Sequence, residues 1–280
     1  MKRTLLACAL GSLLLGGPAA AEQEVAELPP VRVSALRNPE IHRYKAIVAG
    51  LDSFDRHHAL APKVPALRFR IEPRGGVPLP EQPRVRIEGS HEFVLPLALD
   101  AANRFSVPRS AAALDADGEL VLNQKRRNYR VVPEVRTPGL PDRVRRLGDL
   151  RLECKVMFDI AKEEMPLYLV LALNGLLMTR DWCSFFAQKN YATTLSFKSG
   201  APIAGAILTE GNRSKALETT SDEFRVGLGD ADWGDEALVE LTFAEAGATA
   251  GTGPALTGTL TGTLTETVTG TAGETPRTAP

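Results

Sequence analysis

The sequence predicts a mainly β fold, an antiparallel β-sandwich with one amphipathic N-terminal helix and one internal apolar helix, α+β overall. Three observations carry this. Short alternating apolar runs separated by Pro, Gly, Asn and Asp fill residues 67–160 and resume after residue 191. A helical spacing of apolar residues is concentrated before residue 62, and a continuous apolar segment near residue 170 interrupts the strand pattern. The 280 residues are 44% hydrophobic and 24% charged, which fits an ordinary folded protein and excludes collagen, coiled-coil and bulk membrane classes.

In chain order, Met1-Lys2-Arg3 is a basic start and Thr4 to Gly17 an apolar run. Pro18-Ala19-Ala20-Ala21 then supplies the small residues a signal peptidase reads. Residues 1–21 are expected to be a cleaved bacterial secretory signal, with cleavage near Ala21, because the apolar run is shorter than the roughly 18–20 residues that span a bilayer. Cys8 stands too early in that run for a lipoprotein signal. The expected location is the periplasm or the medium. Cleavage would leave 31 basic and 34 acidic residues, net −3, and two cysteines. Cys154 and Cys183 are then expected either to form a disulfide, favoured by compartment and parity, or to remain buried thiols.

Residues 22–37, with Pro29-Pro30 and no apolar period, read as an extended leader. Asn38 and Pro39 have the pattern of an N-cap and a first helical residue. Ile41, Tyr44, Ile47, Val48, Leu51, Phe54 and His58 then recur at helical steps until Ala61-Pro62, which predicts a helix over 38–61. Strands are predicted at Leu67–Ile71, Val85–Ile87, Glu92–Leu99, Arg104–Val107 and Glu119–Leu122, with prolines marking edges or ends. Leu150–Ile160 alternates strictly, placing Leu152, Cys154, Val156 and Phe158 on one face, which predicts a further half-buried strand. Met165–Met178 is too short to span a membrane and reads as a buried core helix. Strands follow at Ala192–Lys198, Ile203–Thr209, Phe224–Leu228 and Ala237–Phe243. Residues 247–280 are Thr/Gly-rich without an aromatic side chain and read as a disordered tail, with a short β-repeat as the alternative. The globular region is thus expected over 38–246.

The motifs of several enzyme classes are missing: no Gly-rich phosphate loop, Gly-x-Ser-x-Gly elbow, His-Glu-x-x-His or Cys-x-x-Cys occurs. No cofactor is implied. Adjacent helical side chains point about 100° apart, so His57 and His58 are not placed to share a metal. Asp230, Asp232, Asp235 and Glu236 offer oxygen ligands for calcium without matching the EF-hand spacing, and otherwise make an acidic turn. Residues 104–151 carry eleven basic and six acidic residues. Within them Lys125, Arg126, Arg127, Arg130, Arg143, Arg145 and Arg146 form a candidate basic patch, for an anionic envelope polymer or as a solvated face complementing the acidic C-terminal third. Nucleic acid is disfavoured by the compartment and by the lack of stacking aromatics, since Tyr129 is the one aromatic near the cluster.

Asn103-Arg104-Phe105-Ser106-Val107-Pro108, after a strand ending in Leu99-Asp100, resembles a stretch of carboxypeptidase-regulatory or transthyretin-like β-sandwich modules. The blocks Val135–Pro141 and Arg146–Cys154 resemble those of uncharacterised exported proteobacterial proteins. The resemblance covers about residues 67–158 and implies a sandwich of the prealbumin or immunoglobulin kind, used for binding or assembly; it transfers no catalytic residue. The function expected is a non-catalytic binding or structural module of the bacterial cell envelope, with an envelope protein or anionic polymer as partner. An envelope hydrolase and a calcium-stabilised interaction protein are the alternatives.

Overall fold

The computed structural model describes residues 37–75, 77–186 and 195–244. The expected signal segment 1–21, the leader up to residue 36, residues 192–194 of an expected strand and the Thr/Gly tail 247–280 lie outside the described residues. The first half runs β1 (Pro39–Arg43), α1 (Tyr44–Arg56), a 3₁₀ turn (His58–Leu60), β2 (Arg68–Pro73), β3 (Val85–Glu88), β4 (Val94–Leu97), β5 (Arg104–Phe105), α2 (Ala111–Asp115), β6 (Glu119–Lys125) and β7 (Tyr129–Glu134). The second half begins with β8 (Val144–Arg146), α3 (Leu147–Glu164), α4 (Leu167–Leu177) and α5 (Trp182–Phe186). It ends with β9 (Leu195–Lys198), β10 (Ile203–Glu210), β11 (Arg213–Leu217), β12 (Thr219–Thr220), β13 (Glu223–Val226) and β14 (Leu238–Phe243).

All pairings are antiparallel and make four small sheets, ordered β1-β6-β3-β4, β5-β2-β7, β11-β10-β14-β8 and β12-β13-β9. The protein is therefore mixed α/β with a majority of antiparallel strands, as the alternating runs predict. Pro96 sits in β4, at a sheet edge where the missing N–H breaks no ladder. The expected strands from Leu67 to Leu122 all appear. β1, β7, β8, β11 and β12 are additional.

Three expectations are corrected. The helix expected from Asn38 starts at Tyr44, because Pro39–Arg43 pairs with Glu119–Lys125 instead. Isolated helix propensity gains one bond per residue only after a costly first turn, whereas β6 offers a ready row of backbone partners. Ser110, not Asn38, supplies a side-chain cap, accepting from the backbone N–H of Ala113 at the start of α2.

The second correction is Leu150–Ile160, which lies inside helix α3. Two stripes on opposite sides of that helix are both buried. Leu152, Val156 and Ile160 enter the core formed by α1 and β1–β7, while Leu147, Leu150 and Cys154 enter the core formed by β8–β14. A helix buried from two sides shows apolar residues at every second position and so imitates strand alternation. α3 is thereby the shared wall of two cores. Gly50 brings α1 close to it: a Cβ there would stand 2.7 Å from Cγ1 of Ile160.

The third correction concerns α4. It is helical as expected but holds no buried residue, and Leu176 is 77% exposed. Cys154 and Cys183 are bonded, with Cα atoms 5.8 Å apart, so α4 rides on a loop closed at its base by a disulfide. Among the described residues no helix is long and apolar enough to cross a membrane.

Candidate anion-binding cleft

β2 reads Arg68-Phe69-Arg70-Ile71-Glu72, and its two-residue period sends Phe69 and Ile71 into the first core. Arg68, Arg70 and Glu72 consequently share the other face. Register sets their neighbours: Arg104 of β5 opposes Arg70, and on β7 Arg130 opposes Glu72 and Glu134 opposes Arg68. The sheet β5-β2-β7 thus carries an apolar face inward and a lattice of charges outward. Arg104 Nε donates to Glu134 at 2.5 Å, and Arg70 stands 3.8 Å from the same carboxylate while donating to Glu72 at 2.5 Å. Arg130 Nε donates to the other oxygen of Glu72 at 2.5 Å.

β8 and the segment before it extend this lattice. Arg145 donates to Glu153 of α3 at 2.9 Å and to the carbonyl of Val135, and the pair is buried on both sides. Arg136 is satisfied mainly by backbone: it donates to the carbonyls of Pro141 at 2.7 Å and Val144 at 3.4 Å, and its nearest carboxylate, Asp142 at 3.5 Å, is 89% exposed. Four arginines, 70, 104, 130 and 145, therefore pair with three buried glutamates, 72, 134 and 153, and Arg136 stands beside them without one. Burial opposes charge on Glu134, but the hydrogen bond from Arg104 and the charges of Arg104, Arg70 and Arg145 hold its carboxyl below the usual range. Burial pushes the Glu153 carboxyl up against the attraction of Arg145. The Arg136 guanidinium is lowered by burial and by the positive charge of Arg145. Burial, with the charges of Arg145 and Arg104, outweighs the attraction of Asp142 and Glu134 at this side chain.

The charged lattice forms one wall of a cleft of about 400 Å³, whose opposite wall is Lys198–Ala201 after β9 with Phe224 and Leu241. A second cavity of about 450 Å³, floored by Val64–Ala66 and rimmed by Pro138–Leu140, shares Arg104, Glu134, Arg136 and Asp142 with the first. Arg104 and Arg136 therefore line both cavities, which share this wall. The groove can take several anionic groups in line, with planar guanidinium forks for carboxylate or phosphate.

The residues picked out from sequence are distributed differently. Lys125, Arg126 and Arg127 lie at the tip of the β6–β7 hairpin with Arg37 and Arg74, around an open groove of about 930 Å³. Arg130 is turned toward Glu72, and Arg143 is exposed. Arg145 and Arg146 are buried, which corrects the single basic patch: Arg146 donates to Leu60 O and to Glu236 at 2.5 Å, holding the 3₁₀ turn and the acidic loop onto α3. Neighbouring residues in β8 point to opposite faces, so a run of arginines in a strand cannot form one surface.

The acidic candidates are likewise drawn into ion pairs. Asp235 accepts from Arg151 at 2.5 Å, Glu236 from Arg146, and Asp230 lies 3.7 Å from Lys215, while the carbonyl of Asp232 accepts from Arg213. Among the described residues no group of three or more His, Cys, Asp or Glu side chains could hold a metal ion. Sequence reading passed over Arg70, Arg104, Arg136 and Glu134. The signal was present in the charged alternation of Arg68-Phe-Arg70-Ile-Glu72, but the same pattern describes any strand with one solvated face. Comparison of the chain with protein-family models, curated proteins and solved structures returns no match.

Proposed function

We propose that this protein is a non-catalytic binding module of the bacterial cell envelope whose arginine cleft takes an anionic polymer. The observation that carries the reading is the excess of guanidinium over carboxylate around the groove, above all at Arg136, which burial disfavours and whose ion-pair partner, Asp142 at 3.5 Å, is solvent-exposed. A charge left in such a place is costly unless a partner neutralises it. A carboxylate or phosphate group between Arg104 and Arg136 would do so. Two adjacent cavities sharing Arg104 and Arg136 suit a ligand with several anionic groups better than a single small anion. Export is supported by the pattern of residues 1–21 and by the disulfide, a bond that persists in oxidising compartments. In this reading the two antiparallel sheets that share the first core form a sandwich of the prealbumin kind.

A binder is favoured over a hydrolase because no histidine among the described residues lines the groove, and Glu134, the buried carboxylate that does, is paired with Arg104 and held below the usual range, which does not suit a proton donor. His42 lines one cavity of about 170 Å³ and His57 another of about 190 Å³, and neither opens onto the arginine groove. The calcium alternative loses support because Asp235 and Glu236 are already paired with arginines.

The test is calorimetric titration with polygalacturonate and with inorganic pyrophosphate, using neutral dextran as control. Arg136→Gln is expected to weaken polygalacturonate binding about tenfold or more, the loss of one charge-assisted contact, without unfolding the protein, since no buried glutamate depends on it. Unchanged binding in Arg136→Gln, or binding abolished instead by glutamine at Lys125, Arg126 and Arg127, would overturn the cleft as the site.

A further inference from the structure

Helix α4 is built inside out. At about 100° per residue, Leu167, Leu171, Tyr168, Ala172, Leu176 and Leu169 spread over an arc of about 200° that bears no charged or hydrogen-bonding group except the tyrosine hydroxyl. Leu167 is 72% exposed and Tyr168 is 75% exposed. The one amide of the helix, Asn174, borders this arc beside Leu167 and accepts from the indole N–H of Trp182 at 2.8 Å. Polar contacts of the loop are made on its protein side: Lys162 donates to the carbonyl of Arg180 at 2.6 Å and lies over the Trp182 ring at 5.3 Å. A monomer in water seldom keeps so continuous an apolar surface uncovered.

The shape and charge of the surroundings select the occupant. A helix that docks into a protein groove presents a stripe of anchors at i, i+3, i+4 and i+7, a band narrower than this arc. Acyl chains wrap a convex apolar surface without needing a matching groove. At the root of α4, Arg56, Lys155, Lys162 and Arg180 line a crevice with Asp159 and Asp181, an excess of two positive charges. The Asp181 carboxyl is held at about 2 by Lys155 and Ser184, which overcome its burial, and His57 is lowered by burial and by the charges of Lys155 and Arg56.

We infer that α4 inserts into one leaflet of an anionic phospholipid bilayer, with the exposed Arg56 and Arg180 meeting the headgroups, Lys155 and Lys162 held behind them by Asp181 and Asp159, and the Cys154–Cys183 disulfide anchoring the base of the helix. The protein is then a peripheral membrane protein, and the attachment stands independently of what the groove binds.

The experiment is vesicle co-sedimentation of the disulfide-bonded chain beginning at Glu22. Vesicles containing phosphatidylglycerol are expected to bind it about 10- to 30-fold more tightly than pure phosphatidylcholine, as two excess cations predict. Leu171→Glu with Leu176→Glu should reduce binding about 100-fold or more and leave the melting temperature unchanged, because both positions are exposed. Should that pair impair folding, Leu171→Ala with Leu176→Ala gives the same direction with a smaller drop. Arg127→Gln, on the distant hairpin tip, should bind vesicles as the parent does. Absence of binding to phosphatidylglycerol vesicles would overturn the inference. So would a dimer in solution that the glutamate pair converts to monomer without any vesicle binding, which would assign α4 to a second copy of the chain.

Discussion

Helices α1 and α4 are the two segments whose apolar content stands out most clearly in the sequence, and the fold uses them in opposite senses. α1 buries Tyr44, Ile47 and Phe54 in the first core and leaves Lys45, Asp52 and Asp55 outside, the ordinary arrangement of a surface helix. α4 is more apolar throughout yet buries none of its residues, and its single amide accepts from Trp182. Total hydrophobicity therefore does not decide burial. What decides it is whether the helix has a polar face to give to water, and α4 has none, so it cannot satisfy both a core and an aqueous surface.

The comparison breaks first at the level of stability. Phe54→Ala in α1 is expected to cost about 3–5 kcal/mol, the transfer and cavity terms of a buried ring, measured by urea unfolding. A cost under 1 kcal/mol would mean that α1 is not part of the cooperative core. Replacing Cys154 and Cys183 together by serine is expected to cost about 3–4 kcal/mol, because the bond closes a loop with a sequence separation of 29. Since that loop carries α4, limited proteolysis of the double variant should cut between residues 165 and 183 before any site in α1.

A third test concerns the junction where α3 ends and α4 begins. His42 of β1 contacts Glu164 of α3 at 2.5 Å and Glu40 at 3.1 Å. Burial lowers its affinity for a proton, but the hydrogen bonds and charges of Glu164 and Glu40 prevail and raise its pKa from 6.5 to about 9. The folded-state pKa lies above the unfolded one, so the stabilisation, about 3 kcal/mol, is complete below pH 6.5 and is lost as pH rises through 9. His42→Gln should flatten the stability profile between pH 6 and 10 relative to the parent. A parallel pair of profiles would show that the ion pair does not tie β1 to α3. The smallest effect expected is that of Leu171→Ala, within about 0.5 kcal/mol in water. A larger loss would place α4 in a packed interior and remove the contrast with α1.

Much of the β architecture was legible before any coordinates. Strands β2 to β6, and β10, β13 and β14, follow runs of alternating side chains bounded by turn residues, a signal that survives because one face of each sheet meets a core. The failures share a cause. Pro39–Arg43 has helical periodicity but lies beside the open edge of β6, and Leu150–Ile160 alternates because two cores press on opposite sides of α3. In both places the deciding partner is remote in the chain. The candidate site fared similarly: Lys125, Arg126 and Arg127 do form a cationic tip, but the cleft is assembled from Arg70, Arg104 and Arg136 on separate segments, where no local run of charge announces it.

Local chemistry, then, settled what each stretch of chain could become: alternating strands, a cysteine pair suited to a disulfide, an apolar segment too short to cross a bilayer. Those properties depend on neighbours a few residues apart and are written in composition and spacing. Tertiary structure alone decided that α3 would serve two cores, that a run of arginines would be split between a buried clamp and a cleft, and that the most apolar helix would face outward. Each of these is set by which surfaces meet across long sequence separations, and the burial of a charge or a leucine has no value until that meeting is known.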